Sequence, residues 1–294
     1  MLNKMPTDIN IKLNFSKKIF QDAISTNINA ALNEDLGEID KTSQLISKNG
    51  LGFAIIKANQ GAILCGSPWV NSCFNKLNNK IKINWLSSEG QSIKKGQIIC
   101  EIQGKYTDIL AGERVALNFL QTLSATATET NTMVSLINKY NAQLFDTRKT
   151  IPGLRIAQKY AVRIGGGKNQ RLGLYDQILI KENHIKSFLN LSDLLNQVKL
   201  NDEFDKIQIE VENLSQLKKI LSYGIKNILL DNFTTSKIKE SIKINKKRAI
   251  LEASGNINKN NIADFAKTGV DRISVGLITK NIHSIDFSMN IERK

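Results

Sequence analysis

The chain has 294 residues, of which 41% are hydrophobic and 23% are charged. This size allows a substantial core and predicts two domains, or one barrel with a sizeable addition. No run approaches the roughly 18 apolar residues that a membrane span needs, and the polar first 14 residues lack a secretory pattern. The three cysteines lack CxxC spacing, which argues against a disulfide framework or a cysteine metal site. We therefore expect a cytoplasmic protein.

The net charge of +14 is typical of one further class, the basic proteins that bind nucleic acid. However, 33 of the basic residues are lysine and only 8 are arginine, beside 32 Asn and 40 Ile. An AT-rich coding sequence produces this bias, so we interpret most lysines as solvated surface residues. Arginine persists where a planar, bidentate group is needed. Five of the eight arginines lie close together in the chain: Arg114, Arg148, Arg155, Arg163 and Arg171.

The first hundred residues have an α+β pattern. Ser16 predicts the N-cap of a helix that reaches about residue 32. Its apolar positions recur at helical spacing and predict a buried face of Ile19, Phe20, Ala23, Ile24, Ile28 and Ala31. Short alternating runs then follow between glycines, at 52–58, 61–65, 81–86 and 97–103. They predict a small antiparallel sheet.

Beyond residue 108 the pattern is first helical, with a predicted break at 124–128, and then alternates between strands and helices. The predicted strands are 143–147, 177–181, 207–211, 227–231, 248–253 and 272–275. Successive strand ends are 20 to 34 residues apart, which is the length of a crossover between parallel strands. This rhythm predicts an α/β barrel, with a Rossmann-like open sheet as the competing fold.

Charged side chains gather where these strands end, which is where barrels carry their chemistry. The early ends are basic and predict a wall of cations for a small di- or tricarboxylate: Arg148, Lys149, Arg171 and Lys181. Glu210 and Asp231 follow on later strands and are suited to ribose hydroxyls or Mg²⁺. The last ends carry Ser254, Gly255 and Gly276, whose backbone N–H groups could approach a phosphate. His184 is equally consistent with an acid–base role and a structural one.

A long series of ordered motifs closely resembles the quinolinate phosphoribosyltransferases, and it covers nearly the whole chain. The central segment, 146–155, reads DTRKTIPGLR, and 179–184 reads LIKENH. Other matching blocks are AGERVALNFL at 111–120, RLGLYD at 171–176, EVEN at 210–213, LLDNF at 229–233 and LEASG at 251–255. Shorter blocks are EDLG at 34–37, GGG at 165–167 and TGVD at 268–271.

The resemblance implies a fold, an activity and an assembly. The fold is α/β: an N-terminal α+β sandwich domain over 1–112, to which the tail 284–294 returns, and an incomplete, TIM-like α/β barrel over 113–283. The activity is transfer of the phosphoribosyl group of phosphoribosyl pyrophosphate to quinolinate with decarboxylation, giving nicotinate mononucleotide, pyrophosphate and CO₂ in NAD biosynthesis, with Mg²⁺ as cofactor. The assembly is a homodimer, without membrane or nucleic-acid partners.

The resemblance also implies a role for each site residue. Arg114 of the partner subunit would join a quinolinate site made of Arg148, Lys149, Gln170, Arg171 and Lys181. Phosphoribosyl pyrophosphate would be held by Lys149, Glu210, Asp231, Ser254, Gly255 and Gly276. Lys149, Glu210 and Asp231 would be catalytic, and the two carboxylates would hold Mg²⁺ directly or through water.

One position departs from the family pattern. The family usually has histidine immediately before Arg171, and here that residue is Gln170. Glutamine can donate a hydrogen bond to a carboxylate but cannot carry a positive charge. Weaker binding of quinolinate, or a different preferred acid, would follow.

Three alternative functions stay open at this point. A phosphoribosyltransferase for another acidic base, such as nicotinate, would use the same site with fewer cations. A molybdenum-transport-associated relative shares the fold, but Glu210, Asp231 and the DTRKT run favour the nucleotide-forming enzyme. A basic nucleic-acid-binding protein is the non-enzyme alternative, and its affinity would fall steeply with salt.

Overall fold

The computed structural model describes residues 15–38, 40–42, 45, 50–188, 190–201 and 203–292; the polar start, 1–14, lies outside them. The helices are α1 Lys17–Leu36, α2 Ser67–Leu77, α3 Tyr106–Ile137, α4 Arg155–Ile164, α5 Glu182–Lys186, α6 Leu191–Lys199, α7 Leu214–Ser222, α8 Thr235–Asn245, α9 Ile262–Ala266 and α10 Leu277–Lys280. The strands are β1 Leu51–Ala58, β2 Ala62–Ile63, β3 Lys82–Trp85, β4 Ser92–Ile93, β5 Ile98–Lys105, β6 Gln143–Phe145, β7 Leu179–Ile180, β8 Gln208–Val211, β9 Asn227–Asp231, β10 Ile250–Ser254, β11 Arg272–Ser274 and β12 Phe287–Glu292.

The chain forms two compact units. The first comprises the described residues of Met1–Asn131, Thr150–Gly166 and Ile278–Lys294, and the second comprises those of Thr132–Lys149 and Gly167–Leu277. The domain boundary expected after residue 112 stays a prediction. Among the described residues, no helix is both long enough and apolar enough to cross a membrane.

The first unit contains an antiparallel sheet in the order β12-β1-β5-β3. Side chains along β1 alternate between buried and more exposed, as a strand with one covered face requires. Ala54, Ile56 and Ala58 are on the covered face. The strand near the end of the chain pairs with β1, from Phe53 opposite Glu292 to Ala58 opposite Phe287. Residues 287–292 therefore form an edge strand of this sheet.

Helix α1 begins where the sequence predicts, because the Ser16 side chain accepts a hydrogen bond from the Ile19 amide at 3.2 Å. Its buried face agrees with the prediction only in part. Ile28 is buried as predicted, but Ile19 is 37% exposed, and Asn27 and Leu32 are buried as well. The amide of Asn27 can be buried because it donates to the Gly153 carbonyl at 3.0 Å and accepts from the Trp69 indole.

Helix α3 runs without interruption from Tyr106 to Ile137, so the predicted break at 124–128 is wrong. The hydroxyls of this polar stretch find partners within or beside the helix. Thr130 donates to the Thr126 carbonyl at 2.7 Å, and the Ser124 hydroxyl donates to the Cys65 carbonyl at 3.1 Å. Satisfied in this way, Ser and Thr no longer compete with the helix for its backbone groups.

The second unit contains six strands, all parallel, in the order β6-β11-β10-β9-β8-β7. From β7 to β11 each strand lies beside the next one in the sequence, and β11 then lies beside β6. A Rossmann-like sheet would instead reverse its order near the middle. The order is that of a barrel in which β6 and β7 are the two edges, so the predicted incomplete α/β barrel is confirmed.

Candidate active site

The strands of the second unit bring the predicted site residues to one edge of the sheet. Asp231 at the end of β9 pairs with Ser254 at the end of β10. Ser254 in turn pairs with Ser274, and Ser274 with Phe145, which precedes Asp146. Because all six strands are parallel, their carboxyl ends lie at the same edge. The acidic and serine positions therefore share this edge with the turn that carries Arg148 and Lys149.

The turn after β6 is fixed by a buried carboxylate. Asp146 is fully buried, and it accepts hydrogen bonds from the Asn169 side chain and from the backbone N–H of Gln170, both at 2.7 Å. The Asp146 amide donates to the Lys168 carbonyl at 3.0 Å. These bonds hold the segment 168–171 beside β6. They thereby place Gln170 and Arg171 close to the turn that carries Arg148 and Lys149.

Lys149 and Gly276 are neighbours within this unit. The Lys149 amide donates to the Thr147 hydroxyl at 3.0 Å, which sets the path of the turn. A methyl group added to Gly276 would lie 3.0 Å from Lys149 Cδ and 3.3 Å from Thr147 Oγ1. Gly276 therefore allows the turn after β11 to pass directly against the lysine. This contact brings a predicted phosphate-binding residue next to a predicted catalytic cation.

Arg171 is buried and lies near a second positive charge, that of Arg148. One of its guanidinium nitrogens donates to the Gln177 carbonyl at 2.9 Å. Burial lowers the pKa of Arg171, the charge of Arg148 lowers it further, and Asp176 acts in the opposite direction. Like charges kept this close are costly for the protein without a ligand, and an anion would relieve the repulsion. The pair is suited to a carboxylate substrate.

Lys181 lies where the cations meet the acids. Its ammonium group contacts the Glu210 carboxylate at 3.0 Å, and the lysine side chain is 45% exposed. The Lys181 amide donates to Nδ1 of His184 at 3.0 Å, on the first turn of α5. That contact is a structural use of the histidine, one of the two roles expected from the sequence.

Four carboxylates form an acidic region at the β7–β9 end of the edge. Desolvation by neighbouring atoms raises the pKa of the exposed Glu212, the nearby charges of Glu182, Asp231 and Glu210 raise it as well, and Lys186 acts in the opposite direction. Lys186 lowers the pKa of Glu182. Over the part of the chain that the structure describes, no three His, Cys, Asp or Glu side chains are arranged to hold a metal by themselves. Hard oxygen donors of this kind fit Mg²⁺ that keeps several waters or substrate oxygens.

The turn after β10 requires glycine. Gly255 has a φ of +101°, and a methyl group there would lie 2.1 Å from Oδ1 of Asn232. Asn232 itself has a φ of 55°, and its backbone N–H donates to the Ser254 carbonyl at 2.8 Å. The loops after β9 and β10 are therefore packed against each other. This arrangement holds Ser254 beside Asp231.

Glu252 belongs to the LEASG block, and the sequence predicts no role for it. Glu252 is fully buried on β10. Its two oxygens accept hydrogen bonds from the Gln170 side chain at 2.5 Å and from the Gln208 side chain at 3.0 Å. Burial raises the pKa of Glu252, while hydrogen bonds from Gln208, Ser274 and Gln170 and the charge of Arg272 oppose the rise. No spacing in the sequence predicts these contacts, which depend on the curvature of the sheet.

Arg114 belongs to the first unit, on α3. Its side chain is 57% exposed, and its guanidinium lies 3.9 Å from the Glu113 carboxylate. A contact this long and exposed contributes little to stability. The role of Arg114 in a neighbouring subunit stays a prediction.

Comparisons with known proteins agree with the resemblance seen in the motifs. Residues 126–290 match the C-terminal domain of quinolinate phosphoribosyl transferase, and residues 40–124 match its N-terminal domain. The solved structure of the nicotinate-nucleotide pyrophosphorylase from Francisella tularensis is 42% identical and has a TM-score of 0.89, over 92% of this chain and 96% of that one.

Curated relatives agree. A probable nicotinate-nucleotide pyrophosphorylase (carboxylating) from Bacillus subtilis is 35% identical over 88% of this chain and 90% of its own length. A protein of the same name from Methanocaldococcus jannaschii is 38% identical over 90% of this chain and 95% of its own length. Fold, motifs and comparisons together place this chain in the quinolinate phosphoribosyltransferase family.

Proposed function

We propose that this chain transfers the phosphoribosyl group of phosphoribosyl pyrophosphate to quinolinate, releasing pyrophosphate and CO₂ and forming nicotinate mononucleotide. The observation that carries the proposal is the division of one sheet edge into two regions. Arg148 and Arg171 repel each other at one end, and Glu210 and Asp231 lie with Glu212 at the other. Such a site suits a dicarboxylate beside a sugar that is bound through its hydroxyls and a divalent cation.

The cationic region would bind quinolinate. Arg148 and Arg171 can each offer two parallel N–H groups to a carboxylate, and Lys181 can offer a point charge. Lys181 already contacts Glu210, so it would lie between the two substrates. Two carboxylates on the acceptor match this number of cations, which favours quinolinate over nicotinate.

The remaining residues would bind the sugar phosphate. Ser254 ends β10, Gly255 follows it with a positive φ, and Gly276 lies just beyond the end of the neighbouring strand β11. Glu210 and Asp231 would accept hydrogen bonds from the ribose hydroxyls and would hold Mg²⁺ through water. Bound Mg²⁺ supplies positive charge that neutralises the pyrophosphate oxygens.

The reaction proceeds in two steps without a covalent enzyme intermediate. First, the quinolinate ring nitrogen bonds to the anomeric carbon as the bond from that carbon to pyrophosphate breaks, and Lys149 neutralises the leaving oxygen. Second, the bond from ring carbon 2 to its carboxyl group breaks. The electron pair stays on the ring, stabilised by the cationic nitrogen, until a proton from solvent replaces CO₂. The protein contributes positioning and fixed charges.

A direct test uses purified protein with quinolinate, phosphoribosyl pyrophosphate and Mg²⁺. We expect equimolar pyrophosphate, CO₂ and nicotinate mononucleotide. Lys149→Ala should lower kcat by about 10²- to 10³-fold, and Lys239→Ala, an exposed lysine on α8, should not. Turnover of nicotinate but not quinolinate would overturn the substrate assignment. An unchanged kcat for Lys149→Ala would overturn the role of that lysine.

We further propose that the enzyme is a homodimer in which Arg114 serves the partner's site. Arg114→Ala and Lys149→Ala homodimers should each be nearly inactive. A mixed dimer contains one Arg114→Ala subunit and one Lys149→Ala subunit. One of its two sites would combine a wild-type Arg114 with a wild-type Lys149. Random reassociation of equal amounts should therefore restore about one quarter of wild-type activity. No recovery, with mixed dimers verified by differential tags, would mean that Arg114 does not act across subunits.

We place the reaction in the cytoplasm. Cys65, Cys73 and Cys100 are all buried and free, as in proteins of reducing compartments. Fractionation of the native host, followed by an antibody against the chain, tests this localisation.

A further inference from the structure

Glu252 is a buried carboxylate that the proposed reaction does not use. It is fully buried inside the second unit, although an ionised group is costly to remove from water unless its hydrogen bonds are replaced. Both of its oxygens are occupied by side-chain amides, one from Gln170 at 2.5 Å and one from Gln208 at 3.0 Å. The two contacts fix the plane of the carboxylate. Glu252 therefore has a defined orientation toward Gln170.

Gln170 is held at a second point by another buried carboxylate. Its backbone amide donates to Asp146 at 2.7 Å, and the preceding Asn169 side chain donates to the same group at 2.7 Å. Asp146 thus fixes the main chain of Gln170, and Glu252 fixes its side chain. Two buried acids are therefore directed at one residue. The residue they hold is the immediate neighbour of Arg171.

The acceptor chemistry of Glu252 determines which way the Gln170 amide points. Both oxygens of Glu252 accept from side-chain amide nitrogens, so the Gln170 nitrogen faces Glu252 and the Gln170 side-chain carbonyl faces away. The side-chain nitrogen of Gln170 carries two N–H groups, and Glu252 accepts a hydrogen bond from one of them. The other is directed away from Glu252 by the planar geometry of the amide.

We infer that Glu252 is a positioning residue for acceptor recognition: it orients the Gln170 amide so that this side chain donates a hydrogen bond to a carboxylate of the acceptor. The inference deepens the proposed function and rests on it. Gln170 is uncharged, so it selects the acceptor by the direction of an N–H group, beside the charges of Arg148 and Arg171. Losing Glu252 would free the amide to rotate and present its carbonyl to the substrate anion.

The test compares Gln170→Ala, Glu252→Met and the double variant. Methionine keeps the volume of the glutamate side chain and removes the acceptor, and replacing buried charge by apolar groups is often tolerated. Each single variant should raise the KM for quinolinate about tenfold, or about 1.4 kcal/mol. The KM for phosphoribosyl pyrophosphate should change less than about twofold. The double variant should be no worse than either single one, because both remove the same interaction.

Conservative variants separate positioning from a general structural role. Glu252→Gln keeps a carbonyl that can accept from Gln170, so it should restore most of the quinolinate affinity that Glu252→Met loses. Gln170→Asn is one methylene too short to contact both Glu252 and the substrate, so it should resemble Gln170→Ala. The Asn variant leaves Glu252 unchanged, so it keeps the test decisive if Glu252→Met does not fold.

A matched control is Glu89→Gln in the first unit. Glu89 is another buried carboxylate, and it accepts from the Gly66 amide at 2.7 Å and the Ser67 amide at 2.9 Å. This variant should lower the melting temperature without changing the ratio of the two KM values.

If the wild type turns over quinolinate, either of two results would overturn the inference. One is an additive effect of the Gln170 and Glu252 changes on the KM for quinolinate, and the other is an equal effect of Glu252→Met on both substrates. Absence of quinolinate turnover in the wild type would instead overturn the proposed function itself.

Discussion

Gly276 lies so close to Lys149 that a methyl group on the glycine would be 3.0 Å from Cδ of the lysine. Gly276 therefore sets the position of the Lys149 side chain in addition to its expected role at the phosphate.

Gly276→Ala should displace Lys149 while leaving the fold intact, because a contact of this length requires the neighbour to move by a few tenths of an ångström. We expect kcat to fall about 10- to 100-fold, since small misplacements of a catalytic group are costly. Steady-state kinetics and a thermal melt measure the two effects. The control is Gly61→Ala, whose methyl would lie 3.5 Å from the Ile93 carbonyl, an ordinary van der Waals contact. A kcat within twofold of wild type for Gly276→Ala would contradict this view.

Gly255→Ala should weaken binding of the sugar phosphate. Its methyl would collide with Asn232 at 2.1 Å in a backbone conformation with a φ of +101°. Gly224 provides a matched control, since its φ is +82° but no described residue lies within 4 Å of an added methyl. Gly224→Ala should cost about 1–2 kcal/mol of stability from the left-handed backbone alone. Gly255→Ala should also raise the KM for phosphoribosyl pyrophosphate at least about tenfold. If the two variants have equal KM values for phosphoribosyl pyrophosphate, the turn at Gly255 does not bind the sugar phosphate.

Arg148→Ala should separate binding from stability. Arg148 lowers the pKa of Arg171 by repulsion, so its removal should leave the ligand-free protein as stable as before or more stable. The KM for quinolinate should rise about 10- to 100-fold with the loss of a charged hydrogen-bond donor. Thermal melts with and without quinolinate follow both effects. Arg248→Ala, which removes a guanidinium that donates to the Asn245 carbonyl, should leave the KM unchanged. A large loss of stability in ligand-free Arg148→Ala would refute the repulsion argument.

Chelation of divalent cations should stop turnover, and Mg²⁺ should restore it. Because Glu210 and Asp231 contribute negative charge near Glu212, Glu210→Gln and Asp231→Asn should each raise the Mg²⁺ concentration needed for half-maximal rate. Titrations of rate against free Mg²⁺ give this value. Asp264→Asn, which changes an exposed acid paired with Lys267, should have no effect. Full activity after chelation would exclude Mg²⁺ as the cofactor.

The sequence predicts the sheet edge well because hydrophobic runs and their spacing determine where parallel strands end. The strand 227–231 has the predicted bounds, and the strand that carries Glu210 differs by one residue. Strand β7 is shorter than predicted, at Leu179–Ile180. The Gln177 carbonyl accepts from Arg171 instead of joining the sheet.

The sequence does not predict the buried hydrogen bonds that Glu252 accepts from Gln170 and Gln208. Glu252 and Gln170 are far apart in the chain, and their contact depends on how the sheet curves. The helix does not break at 124–128 as predicted, because the hydroxyls of Ser124 and Thr130 donate to backbone carbonyls. Local propensity cannot anticipate hydrogen bonds that only the folded chain supplies.

The pairing of β12 with β1 also bears on synthesis. During translation, residues 51–58 are synthesised long before residues 287–292. The edge of β1 that pairs with β12 therefore has no partner while the second unit is being synthesised. Exposed strand edges of this kind promote aggregation of nascent chains. Premature termination before residue 287 would leave that edge permanently open, and such fragments should depend on chaperones even when their barrel strands are complete.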